Sequence, residues 1–141
     1  MPNPAAVLVV EDDVSTQGLL VAVVRHLGLT ARSADDGRMA LRLIADEVFA
    51  VIILDLIMPE MDGFEVLRHF RRSSPDLLAR TIVVTAASIR STDEFPELDH
   101  VWRFFRKPLD VDQFGAAVLG CAGRASRKSG RDGAYEAPPQ P

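Results

Sequence analysis

The chain has 141 residues, 48% hydrophobic and 26% charged, with a formal net charge of −4. These are the proportions of one compact domain, and they exclude a wholly disordered, collagen-like or disulfide-framework chain. The longest unbroken apolar run, residues 48–54, falls far short of the roughly 18 residues needed to span a bilayer, and the single cysteine, Cys121, excludes an intramolecular disulfide and a thiolate metal centre.

Along the chain, short apolar runs alternate with stretches of helical spacing. Residues 5–10 read as a strand. Leu19, Leu20, Val23, Val24 and Leu27 then recur at helical intervals, predicting a helix capped by Ser15 or Thr16 and ended by Gly28. A weak strand over residues 30–33 precedes a helix over 37–46, with Leu41, Ile44 and Ala45 on its inner face. Residues 49–54 are wholly apolar, as in a strand buried on both faces of a parallel sheet. The next helix, over 63–72, points Phe64, Leu67 and Phe70 inward, and Pro75-Asp76 marks a loop before a strand at 81–84. A last strand over 101–105 leads to a final helix striped by Val111, Phe114, Val118 and Cys121.

Five successive strand–helix units predict an α/β fold, a parallel sheet with helices on both faces joined by right-handed crossovers. The domain is expected to occupy residues 1–121. Residues 122–141 carry a local balance of +2, several Gly and Pro and no aliphatic side chain larger than Ala, so they are expected to form a disordered, solvated tail. No nucleic-acid or membrane partner is expected. No basic side chain precedes Arg25, so the charged start of a secretory signal is missing and the expected location is the cytoplasm. His26, His69 and His100 are read as surface residues, and Cys121 as a small buried hydrophobe.

In open sheets of this kind, ligands sit beyond the carboxyl ends of the strands. There the first strand runs into Glu11-Asp12-Asp13, the third into Asp55, the fourth into Thr85 and the fifth into Lys107-Pro108. Carboxylates gathered in water-poor surroundings repel one another unless a cation compensates. With only oxygen donors on offer, a hard ion such as Mg²⁺ suits better than Zn²⁺. Asp12 and Asp13 taken alone serve equally as helix caps. The run Asp55-Leu56-Ile57-Met58-Pro59-Glu60-Met61-Asp62-Gly63 is far more specific.

Together with Val9-Val10-Glu11-Asp12-Asp13, Val83-Val84-Thr85-Ala86 and Lys107-Pro108, that run resembles the receiver domain of two-component response regulators, in one unbroken register over residues 5–121. The resemblance, which is to stand-alone, chemotaxis-regulator-like receivers, implies a doubly wound, flavodoxin-like sheet of strand order 2-1-3-4-5. It also implies that Asp55 accepts a phosphoryl group from a histidine kinase, a phosphotransfer protein or a small phosphodonor. Asp12 would bind Mg²⁺ directly, Glu11 mainly through water, and the backbone carbonyl of Ile57 would be a further ligand. Asp13 falls to the following turn. Thr85 and Lys107 would each hold a phosphoryl oxygen, the Lys107-Pro108 bond would be cis, and Thr85 with Phe104 would form the switch, with Trp102 and Phe105 as rivals of Phe104 for that place. Metal, ammonium and hydroxyl each neutralise one oxygen in a transfer that is catalysed by positioning and charge. Lysine at 107 stands out because the chain otherwise prefers arginine, and a compact ammonium fits where a planar fork does not.

The match weakens over residues 88–100, where Pro96 falls inside an expected helix between the fourth and fifth strands; a short or broken helix is predicted there. Ile57 and Ala87 flank the site with apolar side chains that cannot orient water, which predicts slow self-dephosphorylation. The protein is expected to signal through contacts with a downstream protein, as a monomer or a weak phosphorylation-dependent dimer, and to catalyse nothing beyond its own phosphorylation and dephosphorylation. A phosphatase of similar sheet would carry a second Asp where Ile57 stands. The remaining alternative is a phosphorylation-independent protein-binding module.

Overall fold

The computed structural model describes the backbone of residues 6–86 and 95–130, with side chains up to Ala125. Five strands, β1 (Ala6–Val10), β2 (Thr30–Ala34), β3 (Val51–Leu54), β4 (Thr81–Thr85) and β5 (Arg103–Arg106), form one parallel sheet in the order 2-1-3-4-5. The helices are α1 (Val14–His26), α2 (Gly37–Asp46), α3 (Gly63–Ser73) and α4 (Val111–Gly130), with short 3₁₀ turns at Pro75–Arg80 and Pro96–Asp99.

Strand side chains alternate between two faces, and here both faces are apolar. Val7, Val9, Ile53, Ile82 and Val84 meet Leu20 and Val24 of α1 and Phe114 and Val118 of α4. Leu8, Val10, Ile52, Leu54 and Val83 meet Ala40 of α2 and Val66, Leu67 and Phe70 of α3. Continuous apolar strands are the consequence of burial on both sides. The edge strand β2, with the sequence TARSA, is the least apolar and only partly buried.

Local signals set the helix ends. Asp13, rather than Ser15 or Thr16, caps α1: its carboxylate accepts from the Thr16 amide at 2.9 Å and from the Thr16 hydroxyl at 2.7 Å, and Thr16 is the donor because it already lies inside the helix. Asp36 and Asp62 cap α2 and α3 in the same way. After Leu27 the chain leaves α1 through Gly28 at φ +84°, a conformation open to glycine. On α2, Leu41, Leu43 and Ile44 pack against the core while Ala45 faces solvent, so Ala45 does not belong to the inner stripe expected of it.

The boundary expected at residue 121 is also corrected. Helix α4 runs on to Gly130, and Ala122, Arg124 and Ala125 are buried. Small residues suffice there because the helix lies close against the sheet, and the Arg124 guanidinium sits 5.8 Å from the centre of the Trp102 ring, a cation held over an aromatic face. Residues 131–141 lie outside the described residues. So does most of the predicted broken helix; of that segment, residues 96–99 form a 3₁₀ turn beginning at Pro96. Among the described residues, no helix is long and apolar enough to cross a membrane.

Candidate functional site

The sheet reverses its strand order at β1, which lies between β2 and β3. Val10 of β1 is in register with Leu54 of β3, and the Asp55 amide donates to the Val10 carbonyl at 3.0 Å. The next residue of each strand, Glu11 and Asp55, therefore emerges at the same level on the same rim. Both are buried, at 1% and 6% exposure, while Asp12 is exposed. One carboxylate oxygen from each of Glu11, Asp12 and Asp55 lies within 4.8 Å of the others.

Lys107 enters from β5, two strands from β3 and about 10 Å away by ordinary strand spacing. Its amide donates to the Thr85 carbonyl at 2.9 Å, which places its stem beside β4, and its peptide bond to Pro108 is cis. From there Nζ reaches Glu11 Oε1 at 2.8 Å and Asp55 Oδ2 at 3.2 Å. Backbone amides hold the other oxygens: Ile57 donates to Asp55 Oδ1 and Asp13 to Glu11 Oε2, each at 3.2 Å.

Charge is finely opposed on this rim. Burial pushes the Glu11 carboxyl upward and the Asp55 charge adds to it, against the hydrogen bonds from Lys107 and the Asp13 amide, and the net shift is upward. Burial alone lowers the Lys107 ammonium, but its hydrogen bonds to Glu11 and Asp55, with their charges, outweigh that and hold it above the ordinary lysine value. One ammonium thus serves two buried acids, and Glu11 is left incompletely compensated. Three oxygen donors at this spacing fit a hard divalent cation.

Thr85 is fully buried at the end of β4. By strand alternation its side chain shares the face of Val83, and Phe104, in register with Val83, packs on that same face. Trp102 and Phe105 belong to the opposite face, where Phe105 lies edge-on to Phe114. Phe104 is therefore the aromatic of β5 that shares the Thr85 face. The Ile57 side chain is 57% exposed beside Asp55. Ala87 lies outside the described residues. His26, His69 and His100 are exposed. Cys121 is buried, and burial pushes its thiol up to about 12.

Two contributors went unassigned in the sequence. Gly63 lies so close to the Asp55 loop that a Cβ there would collide with the Asp55 carbonyl oxygen; its place at the end of the acidic run was the available signal. Gln17, on α1, donates to the Glu11 carbonyl at 2.8 Å, and nothing in the sequence pattern singles it out.

The model of the family "Response regulator receiver domain" matches residues 7–119. The transcriptional regulatory protein ZraR of Escherichia coli is 31% identical over 112 residues, covering 79% of this chain and 25% of that protein, so the chain spans about a quarter of the length of this curated relative. The Francisella response regulator 1452 receiver domain superposes with a TM-score of 0.75 at 25% identity, covering 85% of this chain and 98% of that one. The response regulator TrrA of Thermotoga maritima, solved in complex with Mg(2+)-BeF, has a TM-score of 0.72 at 24% identity, covering 86% of this chain and 99% of that one.

Proposed function

Because this chain belongs to the response regulator receiver domain family, we propose that it is a phosphorylation-activated switch whose phospho-acceptor is Asp55. The observation that carries this reading is the convergence of Glu11, Asp12, Asp55 and Lys107 on one rim. A carboxylate oxygen of Asp55 attacks the phosphorus of a kinase or phosphotransfer-protein phosphohistidine. An O–P bond forms, the N–P bond breaks, and the imidazole nitrogen leaves with the bonding pair. Lys107, already within hydrogen-bond distance of Asp55, supplies positive charge to a phosphoryl oxygen, and Thr85 supplies its hydroxyl to another.

Glu11, Asp12, Asp55 and the Ile57 carbonyl are the residues that would hold Mg²⁺, which when bound neutralises charge on the transferred group. The face shared by Thr85 and Phe104 supports their role as the switch, in which a local change of charge biases a two-state surface. The apolar, exposed Ile57 beside the acceptor supports slow loss of the phosphoryl group, since it offers attacking water no hydrogen bond. The output is contact with a downstream protein.

Incubation with Mg²⁺ and acetyl phosphate, followed by intact mass measurement, tests the reading. The native chain gains the mass of one phosphoryl group, and Asp55→Asn gains none. Equal gain in both, or gain without divalent ion, contradicts it; no gain in the native chain contradicts it too and favours the alternative of a binding module that works without phosphorylation.

A further inference from the structure

We infer that Gln17 is a positioning residue for the divalent-ion site, an inference that rests on the functional reading above and assigns a role to a side chain on a different element. Gln17 lies on α1, half-buried. Its amide nitrogen donates to the Glu11 carbonyl at 2.8 Å and to Asp35 Oδ1 at 3.0 Å, and the Ala34 carbonyl lies at 3.5 Å. A carboxamide carries two N–H donors, and here they join the loop after β1 to the loop after β2.

The Glu11 carbonyl belongs to the peptide unit that links Glu11 to Asp12. Fixing its direction fixes the plane from which both carboxylates leave the backbone. Glu11 has further restraints, from Lys107 and the Asp13 amide. Asp12 is exposed, so its aim rests on its backbone. Gln17 thereby sets Asp12 relative to Glu11 and Asp55 without touching the ion. It does this as a neutral donor: an arginine or lysine here would also satisfy the carbonyl, but would add positive charge beside a site whose task is to attract a cation. Groups that orient metal ligands in this way typically change metal affinity by 10–100-fold when removed.

The test uses the full chain with Gln17→Leu, which keeps the side-chain volume and removes both donors, and Gln17→Ala. Calorimetric titration with Mg²⁺ alone is expected to show affinity lowered about tenfold in both variants, with thermal unfolding of the metal-free proteins little changed. In the metal-free variants, amide exchange at Asp13, which now bonds Glu11, is expected to speed up. Phosphorylation by acetyl phosphate is expected to need more Mg²⁺ but to recover its rate at saturating Mg²⁺. Native Mg²⁺ affinity in a folded variant overturns the inference, as does a rate that stays depressed when Mg²⁺ saturates. A wild-type chain that takes up no Mg²⁺ removes the functional reading itself; wild-type binding matched by the variants removes only the role of Gln17.

Discussion

The acidic rim and residues 95–101, just before β5, are held by different means. On the rim, like charges are buried together and kept in place by one ammonium and a set of backbone amides. Among the described residues of the connection before β5, Phe95 lies on Phe64 of α3 with ring centres 4.1 Å apart, buried Glu97 pairs with Arg71 at 3.5 Å, and Leu98 and Val101 are buried in the core shared with Val66, Leu67 and Phe70. An aromatic pair adds about 1 kcal/mol beyond its buried area, and an ion pair whose cation is largely exposed adds less than about 1 kcal/mol. The difference teaches where change is costly. A charge added to the rim acts on tightly opposed groups in a low dielectric, whereas residues 95–101 are held by apolar packing and one part-exposed ion pair, where removing a charge costs less.

The largest effect expected from breaking this contrast is at Gly63. A methyl group there meets backbone rather than a flexible side chain, so Gly63→Ala is expected to lower unfolding free energy by about 3 kcal/mol, at the upper part of the usual range for overpacking, and to suppress phosphorylation by displacing the Asp55 loop. Gly18→Ala is the control: nothing lies within 4 Å of a Cβ at that helical position, and stability should rise by up to about 1 kcal/mol. Denaturant titration of both variants distinguishes a tight rim from a general intolerance of added volume.

Next comes Lys107→Ala. Removing the ammonium leaves Glu11 buried beside Asp55, with an expected loss of about 2 kcal/mol, less than for a fully buried pair because Lys107 keeps part of itself in water. The loss should depend on pH. Glu11 is already held above its ordinary value, and without Lys107 it rises further. Protonation of Glu11 then favours the folded state, so the deficit is large near neutral pH and shrinks as pH falls toward the ordinary glutamate range. A deficit that grows on acidification would contradict the assignment of Lys107 as the counter-charge of Glu11.

The smallest effect is expected at the connection. Arg71→Ala is expected to cost about 1 kcal/mol or less, to speed amide exchange at Leu98 and His100, whose amides close the 3₁₀ turn, and to leave phosphorylation of Asp55 intact. If phosphorylation falls as far as in Lys107→Ala, the two regions are not separable.

The same contrast explains what was legible in the sequence. Apolar strands buried on both faces and residues 37–46 between two turn signals wrote the fold plainly, and Glu11, Asp55 and Lys107 were legible because each directly follows a strand. Where the structure departs, the cause is local. The α1 cap falls to Asp13, one of the two acids that read equally well as caps, and not to Ser15 or Thr16, because the carboxylate one step before the helix is better placed to accept the Thr16 amide. Helix α4 continues past 121 because Ala122 and Ala125 extend the stripe of Phe114, Val118 and Cys121; an alanine stripe is invisible to a search for large aliphatics. The Arg124 charge, which suggested a solvated tail, is accommodated over Trp102. Gln17 left no trace because its role depends on which loops the sheet order makes neighbours, and that pairing exists only in three dimensions.

The most direct measurement is to locate the phosphoryl group. Protein treated with Mg²⁺ and acetyl phosphate is reduced with borohydride, which converts an aspartyl phosphate to homoserine, then digested and sequenced by mass spectrometry. Homoserine at position 55 and at no other acidic residue is the predicted result. Homoserine at 12 or 62, the longer alcohol 2-amino-5-hydroxypentanoic acid at Glu11, or no reduced residue at all would contradict the claim that the three acids and Lys107 are arranged to make Asp55 the acceptor.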